Sequence, residues 1–145
     1  MRRYYYNSWL AKVLLCCSTC HTIAIGWFVL SKKNEEETSQ RSRNHETIHA
    51  VQWTEVTMLA GCVLCVVDIL FGVSAFAYLL SGLAYYAWYL VEWLCKLPCG
   101  NAYRSISFEQ EAYDNDTDNN YVENRSMFDG WVIRVFRVVK KTEEN

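Results

Sequence analysis

The chain has 145 residues, which is enough for one domain, and 52% of them are hydrophobic. Its 14 basic and 16 acidic residues leave a formal net charge of −2, so the composition gives no reason to expect nucleic acid as a partner. The hydrophobic residues are segregated: residues 59–95 include only two charged side chains, Asp68 and Glu92. Both flanks of this run are strongly polar, which is typical of a membrane protein. Most of the 7 cysteines lie in apolar runs, and we expect them to be buried free thiols.

The N-terminal part begins with a basic and aromatic stretch over residues 1–12, and an apolar stretch over residues 13–30 follows it. A single membrane crossing by the apolar stretch would leave Arg2, Arg3 and Lys12 outside, against the positive-inside rule. The end of this stretch, residues 22–30, is rich in β-branched side chains, which favour strands. We therefore expect a short N-terminal strand or a shallow membrane-associated hairpin.

Residues 31–44 are polar and are predicted to form a linker, after which residues 45–58 are predicted to form a helix with Asn44 as its N-cap. The apolar run over residues 59–95 is long enough for two membrane spans joined by a tight turn. Gly72, Val73 and Ser74 are the natural residues for that turn. An aromatic belt would then lie toward the end of the second span, formed by Tyr85, Tyr86, Trp88, Tyr89 and Trp93.

The distribution of charge predicts the orientation of this hairpin. Basic residues precede and follow the apolar run, whereas the turn has no charge, so both flanks are expected on the cytoplasmic side. Asp68 lies inside the first span, where an ionisable side chain is costly and often functional. We expect it to make a polar contact near a site or between protomers, or to extend toward the membrane interface.

The sequence His45-Glu46-Thr47-Ile48-His49 is an H-E-x-x-H motif. On a helix, two histidines four residues apart lie on one face and can hold one zinc ion. The glutamate between them can act as the general base that takes a proton from an activated water. The alternative is a pair of surface histidines on a polar helix.

Zinc needs a third protein ligand, and two regions of the chain offer one. Glu55 follows His49 by six residues, which on a continuous helix turns it about 240° from the histidine face. A break in the helix would be needed to bring it round, and Gln52 is not the glycine that such a break requires, so we reject Glu55. The other region, residues 107–113, offers Glu109 and Glu111.

Two segments carry a resemblance to known proteins: residues 44–52, Asn-His-Glu-Thr-Ile-His-Ala-Val-Gln, and residues 102–113, Ala-Tyr-Arg-Ser-Ile-Ser-Phe-Glu-Gln-Glu-Ala-Tyr. With the apolar hairpin between them, they resemble a family of short bacterial membrane proteins. They also resemble the membrane gluzincin metallopeptidases, which include the CAAX prenyl endopeptidases and the heat-shock membrane proteases. The resemblance implies Glu109 as the third zinc ligand, with Glu111 as the fallback.

One position departs from the gluzincin pattern. The larger gluzincins have an aspartate where this chain has Tyr113, and that aspartate commonly supports a metal ligand. The acidic stretch that follows, residues 114–118, is similar to the start of a calcium-binding loop. Asn119 replaces the required glycine and Arg125 the bidentate glutamate, so we predict a solvated acidic loop instead.

Together these features predict a mainly α membrane protein with a single domain over residues 1–145. Its H-E-x-x-H helix and its glutamate-bearing helix would be joined by a transmembrane helical hairpin over residues 59–95. The predicted function is zinc-dependent hydrolysis of a peptide or protein substrate at the cytoplasmic face of a bacterial inner membrane, in contact with membrane lipid. The alternative is a non-catalytic, zinc-stabilised membrane scaffold or sensor, which the short chain and Tyr113 favour.

Overall fold

The computed structural model describes residues 3–16, 20–98 and 100–136. The described residues are mostly helical and include one small sheet, which confirms the prediction of a mainly α protein with an N-terminal strand. The chain forms two compact units: Met1–Thr54 with Ala112–Arg125, and Glu55–Glu111 with Ser126–Asn145. Two of the helices described below, Gln40–Phe71 and Ser107–Asn115, contribute residues to both units.

The first unit contains a three-stranded sheet with strand order β1-β3-β2. Strand β1 is Arg3–Tyr5, strand β2 is Thr22–Ile25 and strand β3 is Phe28–Ser31. Strands β2 and β3 form an antiparallel hairpin, and β1 pairs with β3 in parallel. Gly26 lies in the hairpin turn with a φ of +58°, a conformation that glycine adopts without steric cost. A short helix, α1 over Trp9–Leu14, connects β1 to the hairpin and was not expected from the sequence.

Helix α2, Gln40–Phe71, begins before the predicted start, so the assignment of Asn44 as N-cap was wrong. Ser39 takes that role, because its hydroxyl accepts a hydrogen bond from the Ser42 N–H at 3.2 Å. The Asn44 side chain is buried inside the first unit instead. It donates to the backbone oxygen of Asp116 at 3.0 Å and to the side chain of Asn119 at 2.8 Å.

Helix α2 also continues through the boundary that the sequence suggested near residue 58, and it ends at Phe71. The predicted turn at residues 72–74 is where the helix stops. Gly72 has a φ of +68°, and its N–H donates to the Asp68 carbonyl oxygen at 2.8 Å, which closes the last turn. The Asp68 carboxylate accepts hydrogen bonds from the Val73 N–H at 2.7 Å and the Tyr78 hydroxyl at 3.0 Å. Asp68 therefore stabilises this turn, a role that the sequence analysis did not consider.

The second unit continues with helix α3 over Ala75–Leu79, a 3-10 turn over Leu80–Leu83 and helix α4 over Ala84–Lys96. Helices α5 over Ala102–Ser105, α6 over Ser107–Asn115, α7 over Tyr121–Asn124 and α8 over Asp129–Val132 complete the described chain. The core of this unit surrounds Phe108, which is fully buried. Its ring lies 4.6 Å from that of Tyr85 and 5.0 Å from that of Trp131, centroid to centroid.

Helix α2 is long and apolar enough to cross a membrane, and among the described residues it is the one helix that meets both conditions. Many large apolar side chains of the second unit are exposed, among them Leu59, Val63, Val66, Ile69, Leu70, Phe71, Phe76, Leu79, Leu80, Leu83, Leu90, Val91 and Leu94. The expectation of buried thiols was wrong for the five described cysteines, which are all exposed: Cys16, Cys20, Cys62, Cys65 and Cys95. The two-span membrane hairpin remains a prediction.

Candidate metal centre

The two histidines of the H-E-x-x-H motif lie one turn apart on the first half of α2, as their spacing predicts. Their rings are 4.7 Å apart between centroids and almost perpendicular, at 83°. The Nε2 atom of His45 lies 3.1 Å from the Nε2 atom of His49. His49 is buried and His45 is half-buried, so both rings are largely protected from bulk water.

A contact at the Nδ1 atom fixes the orientation of the His49 ring. The Nδ1 atom lies 2.8 Å from the side-chain oxygen of Gln52, which is fully buried. A carbonyl oxygen accepts but does not donate, so the tautomer that makes this hydrogen bond has its proton on Nδ1 and its lone pair on Nε2. The sequence analysis gave Gln52 no contact: it noted the residue as the absence of a glycine and as the end of the segment that carries the resemblance. Its position three residues after His49, on the same helix face, is the signal that could have identified it.

Glu46 is buried, and its position is set by the sheet of the first unit. The hydroxyl of Thr22, the first residue of β2, donates to Glu46 Oε1 at 2.8 Å. The same Thr22 hydroxyl lies 3.1 Å from the Ser42 hydroxyl on α2. The β-hairpin therefore places a hydrogen-bond donor on the carboxylate that the motif assigns as the general base.

Glu109 lies in the first turn of α6, inside the second unit, and it is 3% exposed. The Tyr89 hydroxyl on α4 donates to Glu109 Oε1 at 2.9 Å. Tyr89 was predicted only as part of an aromatic belt. The structure instead makes it a hydrogen-bond donor to the carboxylate that the resemblance implies as the third ligand.

The start of α6 is held by a buried polar cluster. Glu92 accepts hydrogen bonds from the backbone N–H of Ser107 at 2.9 Å and from its hydroxyl at 2.7 Å. Lys96 donates to Glu92 at 2.5 Å and also donates to the Ser105 carbonyl oxygen. A carboxylate at a helix N-terminus satisfies its free N–H groups and favours the helix dipole. The cluster therefore fixes the helix turn that carries Glu109.

His45, His49 and Glu109 are a group of residues that could hold a metal ion, and each of them offers one ligand atom. The other two candidates make different contacts. Glu111 is fully buried, and a Cβ atom at Gly130 would collide with its carboxylate. Glu55 accepts hydrogen bonds from the Phe128 N–H at 3.2 Å and from Trp131 Nε1 at 2.9 Å.

The acidic loop after α6 was predicted to be solvated, and for Asp116 this was wrong because the residue is 3% exposed. Its Oδ2 atom lies 2.9 Å from Arg41 Nε and 3.8 Å from His45 Nδ1. The Asp116 carboxylate raises the pKa of the Arg41 guanidinium by hydrogen bonding and by charge attraction. The Tyr113 ring lies against the His45 ring with a centroid distance of 4.7 Å.

The donor set is compatible with zinc. Two imidazole nitrogens and one carboxylate oxygen are three of the ligand types that zinc uses, and three protein ligands leave a position open for water. Tetrahedral zinc with Zn–N bonds of about 2.0–2.1 Å would separate two histidine nitrogens by roughly 3.3 Å. The observed separation of the two Nε2 atoms, 3.1 Å, is close to that value.

Comparisons of the chain with protein-family models, with curated proteins and with solved structures give no match.

Proposed function

We propose that the protein is a membrane-associated zinc metallopeptidase that hydrolyses peptide bonds, with His45, His49 and Glu109 as its zinc ligands. The observation that carries this proposal is the pair of histidine Nε2 atoms on one face of α2, 3.1 Å apart, beside the buried Glu46 carboxylate. Glu109 is the carboxylate that could complete the group, and imidazole nitrogens with a carboxylate oxygen are ligands that zinc uses.

In the proposed mechanism, His45, His49 and Glu109 would hold a zinc ion, which would supply a lowered pKa of a water molecule and polarisation of the substrate carbonyl. Glu46 would take a proton from that water as its oxygen forms the bond to the peptide carbon, and it would deliver the proton to the amine nitrogen as the C–N bond breaks. The hydrogen bond from Thr22 holds the Glu46 carboxylate in one orientation. The burial of Glu46 limits competition from bulk water for that proton.

The membrane location is supported by the surface of the second unit. Its exposed apolar side chains lie on successive helices, and apolar surface of this extent is rare on soluble monomers. We propose that the end of α2 and the segment from α3 to α4 form the two spans of a hairpin. The basic residues that flank it would face the cytoplasm of a bacterial cell, and the metal centre with them.

The proposed topology predicts that Ser74 and Arg104, both exposed, lie on opposite sides of the membrane. Each is changed singly to cysteine in a chain whose 7 native cysteines are serine. A membrane-impermeant maleimide applied to intact spheroplasts should label Ser74→Cys, but it should label Arg104→Cys only after lysis. Equal labelling of both positions before lysis would contradict the hairpin.

The ligand assignment predicts that the purified protein contains about one zinc ion per chain and that Glu109→Gln loses it. Glutamine keeps the shape of the side chain and can still accept the Tyr89 hydrogen bond, but it is a poor zinc ligand. We expect zinc affinity to fall by more than about 10–100-fold, which is the loss typical when a hydrogen-bond partner of a ligand is removed and the ligand itself stays. Elemental analysis and chelator competition measure it.

Two matched variants control for burial and for loss of charge. Glu111→Gln and Glu55→Gln also neutralise buried carboxylates, and both should keep the zinc of the wild-type protein. Loss of zinc in Glu111→Gln, with Glu109→Gln unaffected, would assign the third ligand to the fallback residue. A folded wild-type protein that binds no zinc would refute the proposal.

The contact between Tyr113 and His45 favours a second candidate function, a non-catalytic zinc-stabilised membrane scaffold or sensor. The tyrosine occupies the position where gluzincins have a supporting carboxylate. An aromatic ring can hold the histidine in place but does not increase the basicity of its nitrogen. In this alternative, zinc binds to the same residues and no peptide is cleaved.

A further inference from the structure

We propose that Asp116 is a positioning residue of this site, which orients His45 for metal binding through its Nδ1 atom. This inference rests on the proposed zinc site. It assigns to Asp116 a role that the sequence analysis did not consider.

Three residues on one face of α2 lie beside Asp116. Arg41 Nε pairs with Oδ2 at 2.9 Å, and the Asn44 amide donates to the Asp116 backbone oxygen at 3.0 Å. His45 Nδ1 lies 3.8 Å from Oδ2. Arg41 and His45 are four residues apart, so both side chains project toward the same carboxylate. The contacts from Arg41 and Asn44 fix the charge and the backbone of Asp116 beside the imidazole.

The Asp116 carboxylate has capacity for a further donor. Its Oδ1 atom is buried and has no hydrogen-bond partner among the residues that the structure describes. A buried carboxylate oxygen without a donor is costly, and in this proposal the His45 Nδ1–H supplies one. His45 Nδ1 lies 3.8 Å from the other oxygen, Oδ2, which is too long for a hydrogen bond, so the proposed contact requires a rotation of the carboxylate or of the imidazole ring.

The consequence for His45 is a defined tautomer. An Nδ1–H that faces a carboxylate leaves the lone pair on Nε2, the atom that lies 3.1 Å from His49 Nε2. The negative charge also stabilises an imidazole that is polarised by a cation. Gln52 and Asp116 then act in parallel, since each engages the Nδ1 atom of one histidine and directs its Nε2 atom into the site.

The experiment compares zinc affinities of the full-length protein in lipid nanodiscs, by competition with a chelator of known affinity and with Zn²⁺ as the probe. Asp116→Ala should bind zinc about 10–100-fold more weakly than wild type, as is typical when a carboxylate partner of a histidine ligand is lost. Asp116→Asn keeps a neutral acceptor and should lie between the two.

A second measurement reports on His45 itself. The chain has only 3 histidines, so ¹⁵N labelling gives a resolvable spectrum of the metal-free protein. In Asp116→Ala the ring nitrogen signals of His45 should shift, whereas those of the exposed His21 should stay in place. A merely structural role for Asp116 would not change the His45 tautomer.

The outcomes separate this inference from the function on which it rests. Wild-type affinity in Asp116→Ala, or a loss of affinity without a shift of the His45 signals, would overturn the role of Asp116 while the zinc site stands. A folded wild-type protein that binds no zinc would overturn both. Zinc affinity that falls from wild type to Asp116→Asn and further to Asp116→Ala, together with the shift of the His45 signals, would support the proposal.

Discussion

Replacement of Glu46 by glutamine is expected to remove peptide hydrolysis while zinc content and thermal stability stay at wild-type values. The three proposed ligands do not include Glu46, and its task is only to move a proton. Loss of a general base costs about a hundredfold to ten-thousandfold in turnover. The introduced glutamine can still accept the Thr22 hydrogen bond through its side-chain oxygen, so the local packing should be preserved.

The measurement uses the protein in lipid with a mixed peptide library and detects new amino termini by mass spectrometry. Wild type should produce cleavage sites that Glu46→Gln does not. A matched control is Glu35→Gln, which neutralises an exposed carboxylate of the polar linker and should cleave as wild type does. Undiminished cleavage by Glu46→Gln would assign the activity to a contaminant. Zinc in both proteins with cleavage in neither would favour the scaffold.

The features that the sequence predicted correctly depend on local spacing or local backbone chemistry. The approach of His45 and His49 follows from the pitch of a helix, whatever surrounds it. The end of α2 at the predicted turn follows from Gly72, whose positive φ has no steric cost. The presence of strand in residues 22–30 follows from their β-branched side chains, although the sequence analysis did not predict the turn at Gly26 that divides the segment into two strands.

The boundaries of α2 were predicted less well because competing local signals were equally acceptable. Ser39 and Asn44 are both good N-cap residues, and only the structure shows that the Ser39 hydroxyl caps the helix. Once Asn44 is freed from capping, its amide can bond to Asp116, which is 72 residues away in sequence. No proline interrupts residues 52–71, so the helix continues through the point where polarity changes.

The partners of the site residues could not be predicted because they come from distant parts of the chain. Thr22 on Glu46 and Tyr89 on Glu109 are separated from their partners by 24 and 20 residues. Asp116 was predicted to be solvated for the same reason. Its partners Arg41 and Asn44 are distant in sequence, and only the fold brings them into contact with it. The sequence therefore identifies candidate ligands, whereas their supporting contacts depend on tertiary structure.

Replacement of His49 by alanine is expected to remove zinc, peptide hydrolysis and a substantial part of the thermal stability together. His49 offers one of the three ligand atoms, and its ring is buried against Gln52. A ligand that binds only the folded state stabilises it by about 4 kcal/mol when present at a thousandfold excess over its Kd. The midpoint of thermal unfolding, measured at fixed free zinc, should fall accordingly.

A chelator separates the contribution of zinc from that of the lost side chain. Removal of zinc from the wild-type protein should lower its unfolding midpoint toward that of His49→Ala, whereas the same chelator should leave His49→Ala unchanged. His21→Ala is the matched control, since it removes an exposed imidazole outside the ligand group, and it should retain zinc and stability. If the chelator destabilised His49→Ala as much as wild type, zinc would be bound elsewhere in the chain. Because the chelator removes the ion without altering any side chain, agreement between the two treatments would attribute the loss of stability to the metal itself.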